Sequence, residues 1–95
     1  MRRYEAMFIV KTELSGEEKK SLMDQINDTL LKNNAQILQV NIWAEKRKLA
    51  YPIKKHQEGT YYLISFTAPP EAIAKLNNAY RLNENILRVL ITSEV

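Results

Sequence analysis

Cysteine is absent from this chain of 95 residues. Without thiols, a disulfide framework, a cysteine nucleophile and a soft metal site are all excluded. Only one histidine and two glycines are present, and neither Gly16 nor Gly59 belongs to a loop that could cradle a phosphate. These absences remove most of the common catalytic and cofactor-binding motifs.

The few titratable residues that could serve catalysis have structural explanations. His56 lies in a lysine-rich stretch without a nearby Cys, Asp or second His, so we interpret it as a solvated turn residue. Glu17 and Glu18 fall in the first turn of a predicted helix, where negative charge offsets the helix dipole. We therefore predict that the protein is not an enzyme, with no catalytic residue, metal, cofactor or small-molecule substrate.

Long hydrophobic runs are also missing. The apolar run in MRRYEAMFIV ends at Lys11, which makes it too short for a membrane span, and it lacks a small-residue cleavage site. A chain of this length can bury one modest core, so we expect a single domain over residues 1–95. The default expectation is a cytoplasmic protein with no membrane contact.

The positive charge is unevenly distributed. Fourteen Lys and Arg against eleven Asp and Glu give a net charge of +3, yet the segment KRKLAYPIKKHQ alone, residues 46–57, holds five of the bases and no acid. Arg2 and Arg3 form a second small cluster. A nearly balanced chain with its bases gathered in two places is a candidate for binding a polyanion. A well-solvated lysine-rich turn is the alternative that charge alone leaves open.

Hydrophobic periodicity predicts the first strand and the first helix. Alternation in YEAMFIV is typical of a strand. Ser15 followed by Glu18 has the spacing of a capping box, which predicts a helix start, and Asn33 or Asn34 can end that helix in the left-handed conformation. The predicted buried stripe of the helix is Leu22, Met23, Ile26 and Leu30.

A second strand is predicted from Ala35 onward, because the hydrophobic period drops to two. Its even-numbered apolar positions are Leu38, Val40, Ile42 and Ala44, whereas Leu49, Tyr51 and Ile53 alternate on odd numbers. Either a bulge or break lies between Trp43 and Lys48, or the second half of the strand shows its apolar residues to the opposite face of the sheet. Pro52 cannot donate to a β-ladder, which places it at a sheet edge or a strand end.

The remaining elements complete a recognisable order. KKHQEG is predicted as a turn, TYYLISFTA as a third strand, and ILRVLITSEV as a fourth. Between the last two, a helix is predicted with Pro70 at its first position. The order β-α-β-β-α-β is the ferredoxin-like split βαβ arrangement of the α+β class, a four-stranded antiparallel sheet with two helices on one face.

The sheet face without helices is predicted to be unusually apolar. Its expected residues are Arg3, Glu5, Met7, Ile9, Tyr61, Leu63, Arg88 and Leu90. Partial docking of another molecule on this face is one explanation.

One way for this fold to bind RNA is the RNA recognition motif, in which aromatic residues on the central strands stack on unpaired bases. Gly59, Tyr61 and Phe66 are a loose echo of that signature. The basic residue before the glycine is missing, and Met7 and Ile9 stand where a second stacking aromatic is wanted. A single-stranded RNA-binding protein of this kind is the alternative function.

Three segments carry a more specific resemblance. MRRYE, the tryptophan followed by KRKLAYPIKK, and RLNENILR resemble, in order and separation, the bacterial ribosomal protein six family of the small subunit. The match covers essentially the whole chain. The resemblance implies the same split βαβ fold and binding to the central domain of 16S ribosomal RNA as a heterodimer with ribosomal protein eighteen.

The resemblance also implies roles for individual positions. The implied phosphate contacts are Arg2, Arg3, Arg47, Lys54 and Arg88, and further candidates are Lys46, Lys48, Lys55 and Arg81. The implied partner-facing or loop-fixing residues are Leu49, Tyr51, Pro52 and Ile53, with Tyr61 also expected to serve the partner. The chain departs from the family pattern in having Ala44 where a glycine is expected, one extra residue between Trp43 and Leu49, and no tail after Val95 of the kind that many members carry.

Overall fold

A computed structural model describes residues 2–53 and 56–93, and for residues 43–47 and 50–53 it describes the backbone alone. In chain order the elements are β1 (Arg2–Val10), α1 (Gly16–Lys32), β2 (Gln36–Ile53), β3 (His56–Ala68), α2 (Ala72–Arg81) and β4 (Ile86–Ser93). The predicted order of strands and helices is confirmed.

The four strands form one sheet in the order β2-β3-β1-β4, and each neighbouring pair is antiparallel. Strand β1 pairs with β3 without interruption from Arg2 opposite Ala68 to Val10 opposite Thr60. Each helix joins two strands that have one other strand between them in the sheet: β3 lies between β1 and β2, and β1 lies between β3 and β4. This order is that of the ferredoxin-like fold predicted from the sequence.

Both helices cover the same face of the sheet, because their buried residues share one core with the even-numbered residues of β1 and β3. Tyr4 stacks on Phe66 with ring centroids 5.8 Å apart, and Phe8 meets the ring of Tyr80 edge-on at 4.9 Å. The fully buried aliphatic side chains of this core include Val10, Leu22, Ile26, Leu30, Ile64, Leu76 and Ile86. The predicted division of β1 and β3 into a core face and an open face is confirmed.

The capping box predicted for α1 is present. Glu18 donates its backbone N–H to Ser15 Oγ at 3.1 Å, and its own carboxylate accepts from the Ser15 N–H at 3.2 Å. At the other end Asn33 is the C-cap and Asn34 adopts φ 64°, the left-handed conformation that favours Asn or Gly. Local chemistry therefore determines both ends of this helix.

Helix α2 begins two residues later than predicted. Ala72 donates to the Pro69 carbonyl and Ile73 to the Pro70 carbonyl, so Pro70 belongs to the preceding turn. The prediction that Pro70 occupies the first helical position was wrong.

Strand β2 changes register several times along its length. Ile37 lies opposite Phe66 and Val40 opposite Ile64, so Leu38 is an extra residue between them. Leu38 therefore stands outside the unbroken alternation predicted for Leu38, Val40 and Ile42, and it is 46% exposed, whereas Ile37 packs against the core. Further shifts between Ile42 and Lys48 confirm the bulge predicted in that part of the strand.

Candidate nucleic-acid interface

The basic segment is carried by a two-stranded ribbon that projects past one end of the sheet. Strand β1 stops pairing with β3 at Thr60, whereas β2 continues beside β3 from Arg47 opposite Gly59 to Ile53 opposite His56. Among the described residues, the first four of β3 therefore lie beyond the end of β1 and have only β2 beside them. We call the paired ranges 47–53 and 56–59 the basic ribbon.

The predicted turn KKHQEG was too long, because His56 to Gly59 lie within β3. The side chain of His56 is 22% exposed, and its Nδ1 lies 3.5 Å from Glu13 Oε1. The interpretation of His56 as a solvated turn residue was therefore wrong. Lys54 and Lys55, which were predicted to contact phosphate, lie outside the described residues.

The apolar side chain at the start of LAYPI is buried. Leu49 is only 7% exposed and packs with Ile9 and Leu87, while Tyr61 packs against this group as a half-buried neighbour. Because Ile9 faces away from the helices, this end cluster of Ile9, Leu49 and Leu87 lies on the open face. Both explanations offered for the parity change therefore apply. Strand β2 is bulged before Leu49, and the side chain of Leu49 lies on the open face, opposite to the helices.

For residues 50–53, the rest of LAYPI, the structure describes the path of the backbone. Between Lys48 opposite Glu58 and Ile53 opposite His56, the four β2 residues 49–52 face Gln57 alone. Pro52 falls within this stretch of an edge strand, as predicted. Partner contacts by Tyr51, Pro52 and Ile53 stay predictions.

Three of the proposed phosphate-binding residues lie near this end of the sheet with exposed side chains. Lys48 is part of the basic ribbon, Arg88 lies on β4 opposite Ile9, and Arg81 lies in the last turn of α2. Arg81 and Arg88 line one groove of about 210 Å³ between α2 and β4. Lys46 and Arg47 directly precede Lys48 in β2, and the structure describes their backbone positions.

Arg2 and Arg3 lie at the opposite end of the sheet. Both are exposed, and Arg2 faces Ala68, nine residue steps along β3 from Gly59. At about 3.3 Å per residue this separation is roughly 30 Å. The bases therefore present two separate positive regions.

The aromatic residues are poorly placed for an RNA recognition motif. Phe66 is fully buried in the core beneath the helices, so it is not available to stack on a base. Tyr61 does lie on the open face, but its cross-strand neighbour is Ile9 and it packs against the end cluster. The echo of the motif in the sequence is not reproduced in the arrangement of the side chains.

Two features of the structure were missed from the sequence. The backbone of Gly59 lies directly beneath the end cluster, although the sequence suggested a turn glycine. A groove of about 440 Å³ between α1 and β2 exposes Val40 and Ile42, the latter by 57%, beside two lysines. The alternation of Val40 and Ile42 on the edge strand β2 is the sequence signal that could have indicated this groove.

The described residues contain no group of three or more His, Cys, Asp or Glu side chains able to hold a metal ion. In the part of the chain that the structure describes, neither helix is both long and apolar enough to cross a membrane. Fold and charge together define an α+β domain of the ferredoxin-like class with a basic ribbon and a sheet face that the two helices leave uncovered.

Comparison with known proteins identifies the family. The family described as ribosomal protein S6 matches residues 3–93. The small ribosomal subunit protein bS6 of Caldanaerobacter subterraneus subsp. tengcongensis is 37% identical over 96% of this chain and 95% of its own. That of Campylobacter lari is 43% identical over 96% of this chain and 73% of its own.

The fold agrees with this assignment. The crystal structure of 30S ribosomal protein S6 from Thermotoga maritima superposes with a TM-score of 0.87 at 30% identity, covering 98% of this chain and 87% of that one. The chain belongs to the ribosomal protein S6 family. The prediction of a small-subunit ribosomal protein with a ferredoxin-like fold, and with it a place in the cytoplasmic ribosome, is confirmed at the level of the family.

Proposed function

We propose that this protein is a structural, non-enzymatic component of the small ribosomal subunit. It binds the central domain of 16S ribosomal RNA as a single domain over residues 1–95, in a heterodimer with ribosomal protein eighteen. The observation that carries the proposal is the basic ribbon, a projecting pair of strands that carries Arg47 and Lys48 with Glu58 as its one acid. It overlaps the segment 46–57, in which the sequence holds five bases and no acid. Such a ribbon suits the phosphate backbone of a folded RNA.

The proposed phosphate contacts form two groups. The ribbon end contributes Lys46, Arg47, Lys48, Lys54 and Lys55, with Arg81 and Arg88 on the adjoining elements. The far end contributes Arg2 and Arg3. Exposure of Lys48, Arg81 and Arg88 supports this assignment, because cations in contact with phosphate must reach the surface.

The proposed protein partner contacts the chain beside the RNA. Tyr51, Pro52 and Ile53 follow the buried Leu49 along an edge strand, and Tyr61 is half-buried on the open face. Edge strands and apolar sheet faces are surfaces that protein partners commonly use. Leu49 acts from within the end cluster, in the loop-fixing role that the sequence also allowed.

A salt titration tests the RNA contact. Each phosphate neutralised adds roughly 0.7 to 0.9 to the slope of log affinity against log salt, so Lys54→Glu with Lys55→Glu should flatten the plot measured on a central-domain rRNA fragment. Lys20→Glu with Lys75→Glu makes the same change in net charge on exposed helix positions and is the matched control. Equal slopes for the two double variants would contradict binding through the ribbon.

A substitution at Tyr61 tests the recognition-motif alternative. Tyr61→Leu keeps an apolar side chain against the end cluster but removes the aromatic ring. Loss of a base-stacking ring costs about 1 to 3 kcal/mol of RNA affinity, and we expect less than about 0.5 kcal/mol. Filter binding with single-stranded RNA measures the difference, and a loss in the stacking range would revive the recognition-motif function.

A further inference from the structure

The basic ribbon needs support from outside its own two strands. An isolated two-stranded hairpin is at best marginally stable in water. The described part of the ribbon has no third strand beside it, because β1 pairs with β3 only as far as Thr60. Contacts on one of its faces therefore help to determine how it is oriented relative to the sheet from which its two strands extend.

The end cluster supplies such contacts from every strand of the sheet. Leu49 of the ribbon packs on Ile9 of β1 and Leu87 of β4, and Tyr61 of β3 borders the group. These side chains are separate from the main core, which lies on the other face of the sheet. The cluster thus joins the ribbon to the sheet without involving either helix.

A backbone irregularity in β4 helps to bring these side chains together, and a second irregularity in β2 adjoins them. Ile9 pairs with Arg88 whereas Val10 pairs with Ile86, so Leu87 is an extra residue in β4. The long bulge of β2 begins directly at Leu49. The bulge in β4 turns Leu87 toward the open face, to which a regular strand would not direct it, whereas Leu49 faces that side by ordinary alternation after Lys48.

Gly59 provides the space in which Leu49 and Ile9 meet. A β-carbon at this position would collide with Ile9 Cγ2 and would lie 3.6 Å from Leu49 Cδ2. The φ angle of Gly59 is not positive, so the requirement for glycine is one of space and not of backbone conformation. Any larger residue would have to displace Ile9.

We infer that Leu49 and Gly59 are positioning residues for RNA binding: they hold the basic ribbon against the open face so that its bases meet the phosphates in one orientation. This inference rests on the proposed function. A ribbon that is docked only part of the time binds with an apparent affinity reduced by the docked fraction.

Two pairs of variants test the inference, each with a matched control. Leu49→Ala removes the ribbon's contact, and Leu38→Ala makes the same change at an exposed position of the same strand. Gly59→Ala introduces the colliding β-carbon, and Gly16→Ala adds one where nothing lies within 4 Å. Leu49→Met keeps apolar volume in the cluster and serves as the conservative rescue.

Hydrogen–deuterium exchange and RNA affinity are measured on the full chain for each variant. The RNA is a central-domain rRNA fragment, with ribosomal protein eighteen present. We expect Leu49→Ala and Gly59→Ala to speed exchange of the ribbon amides while those of Ile64 and Phe66 stay protected. If the docked fraction falls to about one tenth, affinity falls about tenfold, whereas the controls and Leu49→Met stay within about twofold of the wild type.

Other outcomes overturn the inference in distinguishable ways. Unchanged ribbon exchange in Leu49→Ala would show that the end cluster does not hold the ribbon. A loosened ribbon with unchanged RNA affinity would show that the orientation of the ribbon does not matter for binding. In that case the proposed function would still be supported, because the wild-type protein binds the rRNA fragment. Failure of the wild-type protein to bind the rRNA fragment would overturn the proposed function itself.

Discussion

A single hydroxyl group joins the two helices. Tyr80 of α2 donates its hydroxyl to the Ile26 carbonyl of α1 at 2.8 Å, and the residue is only 2% exposed. Burial raises the pKa of the Tyr80 hydroxyl, because the phenolate is poorly solvated away from water. At this residue, helix packing and the protonation of one side chain are therefore coupled.

This coupling predicts a loss of stability at alkaline pH. Because the folded-state pKa is raised, the contribution is fully present below the ordinary value of 10.0 and is lost as pH rises above it, where the unfolded phenol ionises first. Each pH unit above that value should lower the free energy of unfolding by up to about 1.4 kcal/mol.

Urea denaturation between about pH 9 and about pH 11 measures this effect. Tyr80→Phe is the control. It should cost about 0.5 to 1.5 kcal/mol at neutral pH through the lost hydrogen bond, but its stability should fall less steeply with pH. Parallel pH profiles for the two proteins would show that Tyr80 is not the responsible group.

The elements differ in how much local chemistry determines them. Helix α1 has a reciprocal capping box at Ser15 and Glu18 and a left-handed Asn34 at its end. Helix α2 has no side-chain cap at its N-terminus and instead depends on its packing and on Tyr80. Removing a cap should therefore be measurable in α1, where local signals are strongest.

Ser15→Ala should destabilise the protein by about 1 kcal/mol, because the Glu18 N–H loses its partner and the Glu18 carboxylate loses the organised cap. Ser21→Ala, an exposed position inside the same helix, is the matched control and should be neutral or slightly stabilising because alanine is the better helix former. Chemical denaturation midpoints compare the two, and an equal loss in both would rule out a specific capping contribution.

At the scale of the whole molecule, the bases lie at two ends of one sheet. Arg2 and the ribbon residue Lys48 are separated by most of the length of β3, roughly 30 Å. The longest dimension of the molecule is 36 Å. A folded RNA that touches both ends must therefore follow the sheet over nearly its whole length.

This separation predicts additive effects. Arg2→Ala and Lys48→Ala should each weaken binding to the central-domain rRNA fragment, and the double variant should lose the sum of the two free energies within about 0.3 to 0.5 kcal/mol. Thermal stability should change by less than about 0.5 kcal/mol in each, as is usual for exposed residues. A large coupling energy would mean that both residues meet the same part of the RNA.

Local patterns were enough to predict much of the fold. Alternation determined which residues of β1 and β3 enter the core, and the spacing of Ser15 and Glu18 marked the start of α1. The family resemblance rested on MRRYE, KRKLAYPIKK and RLNENILR, and the family is confirmed. These features depend on neighbours in sequence, so the sequence by itself determined them.

The tertiary structure decided where the irregular strands send their side chains. The odd-numbered apolar residues after Trp43 indicated a change of face or a bulge, but Ile9 and Leu87, which Leu49 meets, come from the two distant ends of the chain. Gly59 was predicted in the turn KKHQEG, whereas in the structure it leaves room for Ile9, a contact across strands that the sequence does not reveal. Leu38 falls outside the predicted alternation and Ile37 packs against the core, because register is set by pairing with β3. Contacts between residues far apart in sequence leave no periodic signal, and they determine how the basic ribbon is held.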